Sequence, residues 1–293
     1  NLAPSLDVNN NPNNPVINVR SYSDDPSVVA ILGKRFIEGS LEYGVLACAK
    51  HFPGHGDCEV DSHLGLPIIN YDLDRIHKIE MHPFIENINV PAIMSAHILF
   101  PAYDTVPATL SKKILTNVLR EELGFEGLIL TDCLEMKAIQ NEFGTANGAL
   151  KAVLAGADLC DISHTLEFQL KALHLLEEAV NDGRLPMEEL DKKVERILKA
   201  KEKTLPYLEK YFYNQEMKFS EENNKLAQEI VDNSLTMVKG DNVTLTPNTL
   251  LIAPVAMART IIEDEFDDRN LAKVLKKEFN NLDVLELLST DEF

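Results

Sequence analysis

The stretch Val45-Leu46-Ala47-Cys48-Ala49-Lys50-His51-Phe52-Pro53-Gly54-His55-Gly56-Asp57-Cys58-Glu59-Val60-Asp61-Ser62-His63 joins two unlike textures. Residues 45–49 form an apolar run with the length and bulk of a buried strand. Residues 50–63 then crowd three histidines, a lysine and three acidic residues (Asp57, Glu59, Asp61) into a segment that also holds Pro53, Gly54 and Gly56. A loop that only turns the chain uses glycine, proline and small polar residues, not a concentration of groups that titrate or donate near neutral pH. Chemistry launched from the end of a buried strand is the expectation.

Working outward, strands and helices alternate. Residues 27–43 read as a helix entered through Asp25-Pro26, with the cap just before proline. After the reactive loop come a helix at 73–87, a short apolar strand at 92–96, and a helix at 111–123 with Ser111 as cap and Gly124 past its end. A strand at 127–131, a helix at 146–155 closed by Gly156, a strand at 157–162 and amphipathic helices near 166–180 and 187–203 complete the block. Strands recurring at ~35-residue spacing with helices between them indicate βαβ units and a parallel sheet. The chemically capable residues follow the strands and precede the helices, the face on which a (β/α)8 barrel of the TIM type builds its site. An open doubly wound sheet fits the same pattern.

A full barrel takes ~250 residues, so the N-terminal strands are expected upstream of Asn1, with residues 2–8 as the tail of one. On this reading residues 1–203 are the C-terminal part of a barrel. Residues 204–224, charged and aromatic, are a linker, and residues 225–293 begin a second α/β domain. In that domain a helix at 222–233 leads into a strand at Ser234-Leu235-Thr236-Met237-Val238-Lys239, a turn at Gly240-Asp241-Asn242, another strand at 250–254 and a helix at 271–279.

The 293 residues carry a formal net charge of −19 with no basic run, which makes nucleic acid and anionic membrane surfaces poor partners. No stretch approaches the ~18 apolar residues of a membrane span. Cys48, Cys58, Cys133 and Cys160 lack any C-x-x-C pairing and read as free thiols, which points to a reducing, cytoplasmic compartment; a secreted or cell-surface protein stays open.

Three further segments bear chemistry. Asp132, in Leu130-Thr131-Asp132-Cys133-Leu134-Glu135-Met136, stands where a strand runs out; it is either a reactive carboxylate or the cap of the next turn. Arg20 ends Asn14-Pro15-Val16-Ile17-Asn18-Val19-Arg20 and reads alone as a surface charge; His97 follows Ile93-Met94-Ser95-Ala96.

Together N-P-V-I-N-V-R-S-Y, A-K-H-F-P-G-H-G-D with D-S-H, I-M-S-A-H and L-T-D-C-L-E-M resemble family 3 glycoside hydrolases, in their β-N-acetylglucosaminidase branch. The resemblance runs from residue 1 to about residue 238. It implies a barrel with Asp132 as nucleophile, His63 on a mobile loop as general acid/base with Asp61 as its partner, and Arg20, Lys50 and His51 as sugar-binding residues. It implies no cofactor and no metal, and a carbohydrate partner containing N-acetylglucosamine from cell wall or chitin. One departure is Cys133, where T-D-D-L is common.

Retaining glycoside hydrolysis needs a nucleophile on one side of the ring and a proton donor for the departing oxygen. An imidazole serves as donor because its ordinary pKa, ~6.5, lies near neutrality. Asp61, two residues away, would orient that ring. His55 reads as structural, Glu59 as solvated and Glu135 as helical. The rival readings are a β-glucosidase, an N-acetylglucosaminide phosphorylase, a metal-dependent hydrolase built on His51, His55, Asp57 and His63, and a sugar-binding barrel without catalysis.

Overall fold

The computed structural model describes residues 1–211, 220–239, 249–254, 271–279 and 282–287. Two compact units emerge, Asn1–Gln215 and Glu216–Phe293.

The first unit is α/β, built on a parallel sheet in the order β1 (Cys48–Phe52), β2 (Ala92–Ser95), β3 (Leu128–Cys133), β4 (Leu159–Asp161). Sequential strands lie side by side with helices in the connections, the barrel-type βαβ arrangement. Residues 3–6 run along the other edge of β1: the Cys48 N–H donates to Ala3 O, the Lys50 N–H to Pro4 O and the Leu6 N–H to Lys50 O. β2 is buried on both faces, as a parallel strand covered by helices must be. Phe52, Phe84, Ile93, Ile129 and Phe100 share one core with Leu6 and Val8.

Helix α1 (Pro26–Glu42) starts as its sequence dictates, with the Asp25 carboxylate accepting from the Ser27 N–H at 2.8 Å. The segment read as a single helix at 73–87 is two, α2 (Leu73–Lys78) and α3 (His82–Glu86). Pro83 has no N–H to donate, so a helix tolerates it near its start and not in its interior. Residues Lys113–Glu122 wind as a π-helix, its last turn closed by the Leu123 N–H on Val118 O, and the Ser111 hydroxyl accepts from the Ile114 N–H as a cap should. Helices α4 (Lys137–Phe143), α5 (Thr145–Ala155), α6 (Leu166–Asn181) and α7 (Met187–Tyr211) follow. α7 runs eight residues past Lys203, into the stretch read as a linker, and the unit boundary falls at 215/216.

β1 lies three residues later than the apolar run suggested, because Lys50, His51 and Phe52 continue the ladder instead of beginning the loop. β3 likewise extends through Asp132 and Cys133. Both strands slip register near their C-terminal ends, between Lys50 and Phe52 and between Leu130 and Cys133. A bulge re-aims the side chains beside it, and these two flank the site.

At the opposite ends of the strands the buried Asp158 carboxylate binds three elements together. It accepts from Arg120 at 2.7 Å, from Arg196 at 2.7 and 2.9 Å, and from the Ile129 N–H at 2.9 Å. Arg120 also donates to Phe125 O and Gly127 O, fixing the entry into β3.

The second unit contains α8 (Glu221–Ser234), β5 (Leu250–Pro254), α9 (Leu271–Glu278) and β6 (Asp283–Leu287), with β5 and β6 parallel. Residues 235–239 are not a strand: a strand needs partners for its N–H and C=O groups, and among the described residues none pairs with them. The turn read at Gly240-Asp241-Asn242 lies outside the described residues.

Removing the Asp158 carboxylate strands two guanidinium groups at the sheet's lower end. Asp158→Ala is expected to lower stability by roughly 3–5 kcal/mol, read from the midpoint of urea unfolding. Arg196→Met, which leaves the Arg120 pair intact, should cost clearly less.

Candidate active site

The site gathers on the C-terminal ends of β1 and β3. His51 is the extra residue in the β1 bulge; its Nε2 lies 3.7 Å from Asp132 Oδ2, and its Nδ1 is 2.8 Å from Asp7 Oδ2. Asp7 is completely buried and also accepts from the His51 N–H at 3.0 Å, the His55 N–H at 2.8 Å and the Ser5 hydroxyl at 2.8 Å. Burial alone would raise its pKa. The His51 ring and N–H, with His55, outweigh that and hold the carboxyl well below the usual range. Asp7 therefore remains an acceptor and keeps Nδ1 of His51 turned toward it, leaving Nε2 for Asp132.

Asp132 is one-quarter exposed at the end of β3, with its Oδ1 accepting from the Cys133 N–H at 2.8 Å. Burial pushes its pKa up; His51, His97, the Cys133 N–H and Lys50 together push it further down, so the group is held ionised. The buried His97 is locked by both nitrogens, Nδ1 to the Thr109 hydroxyl at 2.8 Å and Nε2 to Cys133 O at 3.0 Å. Burial, partly offset by Asp132, lowers its pKa. It supports the strand end that carries the carboxylate.

Lys50 is half-buried on β1, and its pKa is lowered first by burial and then by Arg20, while Asp132 and Asp7 oppose the shift. Arg20 ends a short 3-10 turn, Asn18–Arg20, and its guanidinium reaches back to Val16 O.

His63 and Asp61 sit together on the loop, Nδ1 to Oδ1 at 2.7 Å, and the Asp61 carboxylate also accepts the His63 N–H at 2.8 Å. That loop is anchored on both sides. Buried Asn14 donates to His55 O and Gly56 O and accepts from the Val16 and Ile17 N–H groups. At Gly56 a Cβ would overlap the Val8 carbonyl, so only glycine fits. Further on, Ser62 O accepts from the Ala138 N–H of α4, the helix that follows Asp132, at 3.2 Å. These bonds draw the loop carrying His63 toward the β3 end.

The sequence reading missed Asp7 and Asn14. Asp7 lies in Leu6-Asp7-Val8, an acid among apolar residues, and that contrast was the available signal. His55 is structural as expected: buried, Nε2 on the Ser62 hydroxyl at 3.0 Å, its pKa driven down to about 4, chiefly by burial. Glu59 is exposed, as expected. Glu135 is not helical; it lies in the turn before α4, where its carboxylate accepts the His164 N–H at 2.7 Å.

The metal centre considered on His51, His55, Asp57 and His63 is not assembled. His51 faces Asp7, His55 faces Ser62, Asp57 pairs with Arg75 at 3.1 Å and His63 with Asp61, each a separate partner. All four cysteines are free thiols. Among the described residues no helix is long and apolar enough to cross a membrane.

Residues 1–200 match the glycosyl hydrolase family 3 N terminal domain. Beta-hexosaminidase A of Pseudoalteromonas piscicida is 39% identical over 228 residues, covering 69% of this chain and 38% of that protein. The solved family 3 β-N-acetylglucosaminidase from Paenibacillus sp. str. FPU-7 superposes with a TM-score of 0.85 at 38% identity, over 98% of this chain and 56% of that one. Beta-glucoside phosphorylase BglX is also similar, with a TM-score of 0.78 at 27% identity over 98% of this chain and 55% of that one. The chain thus spans between 38% and 56% of the length of these relatives. With two-thirds of its residues matched by that family, the chain belongs to glycosyl hydrolase family 3.

Proposed function

We propose that the protein is a retaining exo-β-N-acetylglucosaminidase that releases N-acetylglucosamine from cell-wall or chitin-type oligosaccharides. The observation that carries this reading is the His63–Asp61 pair, 2.7 Å apart on a loop tied to the helix after Asp132. Its supports are the family, the relatives named for hexosaminidase and N-acetylglucosaminidase activity, and the ionised state of Asp132. We further read the first unit, Asn1–Gln215, as barrel and the second, Glu216–Phe293, as part of a second α/β domain.

In this mechanism the Asp132 carboxylate attacks the anomeric carbon from one face while His63 gives its Nε2 proton to the departing oxygen. Asp61 holds Nδ1, which fixes the tautomer and supports the imidazole as it changes charge. In the second half His63 takes a proton from water, and that water displaces Asp132 from the sugar. Arg20, Lys50 and His51 hold sugar hydroxyls, while His51, His97, the Cys133 N–H and Lys50 offset burial and favour the Asp132 carboxylate. Asp7 acts through His51 as a positioning residue.

The similar phosphorylase supports a second reading, in which inorganic phosphate replaces water and yields a sugar 1-phosphate. Product analysis with and without phosphate separates the two.

Asp132→Ala is expected to abolish turnover, and a 2-fluoro glycosyl donor should label Asp132 of the unmodified protein, as peptide mass spectrometry would detect. Label on another carboxylate would remove the nucleophile assignment. His63→Ala should slow cleavage ~10²–10⁴-fold for substrates with poor leaving groups and far less for activated aryl glycosides. Equal slowing of both would argue against the acid role. Asp7→Asn should reduce kcat/KM by up to ~10²-fold through displacement of His51, with kcat affected for aryl N-acetylglucosaminide. An unchanged kcat would make Asp7 purely structural. Hydrolysis of aryl N-acetylglucosaminide in preference to aryl glucoside tests the substrate class.

A further inference from the structure

Beside Asp132 lies a trio of side chains that the glycosidase chemistry does not use. Cys133 ends β3, Glu135 stands in the turn that follows, and His164 stands three residues beyond β4, before α6. The Cys133 sulfur, a Glu135 carboxylate oxygen and a His164 ring nitrogen all lie within 4.8 Å of one another. We propose that Cys133, Glu135 and His164 form a binding site for a zinc-class divalent cation at the rim of the sheet.

The donor set selects the ion. A thiolate, a carboxylate and an imidazole match zinc in type, and three protein ligands in a tetrahedral geometry leave one position for water. Calcium and magnesium call for oxygen ligands throughout, which a thiol and an imidazole do not supply. One thiolate and one carboxylate balance the ion's charge, so the filled site is neutral, and the chain's net charge of −19 favours cation approach.

The scaffold holds the ligands in place. The Cys133 backbone is pinned twice, its N–H on Asp132 Oδ1 and its carbonyl on His97 Nε2. The Glu135 carboxylate accepts the His164 N–H at 2.7 Å, which links the two loops and leaves lone pairs for an ion. Cys133 and Glu135 are half-buried and His164 is exposed, so an ion reaches the trio from solvent. The sulfur is also where this chain departs from the T-D-D-L pattern of the family, so the soft ligand belongs to this sequence. On binding, Cys133 releases its thiol proton, and the ion bridges the turn after β3 to the loop after β4.

The test uses the full reduced protein, without oxygen, titrated with Co²⁺ as a coloured stand-in for zinc. The expected result is one Co²⁺ per chain, with thiolate-to-cobalt charge-transfer absorption that Zn²⁺ displaces. Cys133→Ser should lose that absorption, and His164→Ala, a change at an exposed side chain, should weaken binding ~10-fold or more. Absence of the absorption, its persistence in Cys133→Ser, or unchanged affinity in His164→Ala would overturn the site. None of these readouts depends on glycosidase activity, so the site and the proposed function stand or fall separately.

Discussion

The buried carboxylate of Asp7 is the constraint on which the site depends. It accepts four hydrogen bonds, two from backbone N–H groups at residues 51 and 55, one from the Ser5 hydroxyl and one from the His51 ring. An ionised group in the interior is costly unless it is fully partnered, and these bonds partner it. In return the strand end of β1, the start of the reactive loop and the orientation of His51 are fixed relative to the segment preceding Asn9. Nε2 of His51 then meets Asp132, so a residue at the start of the chain sets the surroundings of a carboxylate 125 positions away.

The parallel sheet supplies the rest of the convergence. Strands running the same way deliver their C-terminal residues to one rim, and bulges in β1 and β3 re-aim the side chains there. The other end of the strands is given to stability, with Asp158 holding Arg120, Arg196 and the Ile129 N–H together. Function and cohesion occupy opposite ends of the same elements. The reactive loop belongs to both: Asn14 and Gly56 hold its first half, while Asp61 and His63 sit on the part tied by the Ser62 carbonyl to α4 and by the Ser62 hydroxyl to His55.

Single neighbours decide the electrostatics. Asp7 and Asp132 are both acids whose pKa burial raises, and in both the imidazoles and N–H groups around them reverse that shift. His55, a few ångströms from His51, goes the other way, since burial dominates and the neighbouring His51 adds to it, outweighing Asp7. The same residue type is thus structural at 55 and part of the site at 51, and the difference is which atoms face it.

Much was legible in the chain itself. Alternation of apolar runs with capped helices announced βαβ units, and the cluster at residues 50–63 announced chemistry at a strand end, because periodicity and residue type are local properties. Asp132, His63 and Asp61 were singled out from their positions after strands and from a family resemblance, and His55 was read as structural. Other features depended on contacts made across the fold. Asp7 looked like an ordinary acid until the sheet brought it to His51, the helix at 73–87 broke between Lys78 and His82, and β1 ran on through charged Lys50. Glu135 left the helix to hold the His164 N–H, and Cys133 and His164 met only because β3 and β4 are neighbours. Sequence determines which segments are strands and which groups can react; only packing decides which of them touch, because a hydrogen bond or a shared charge is a property of distance, and distance between remote residues exists only once the chain has closed on itself.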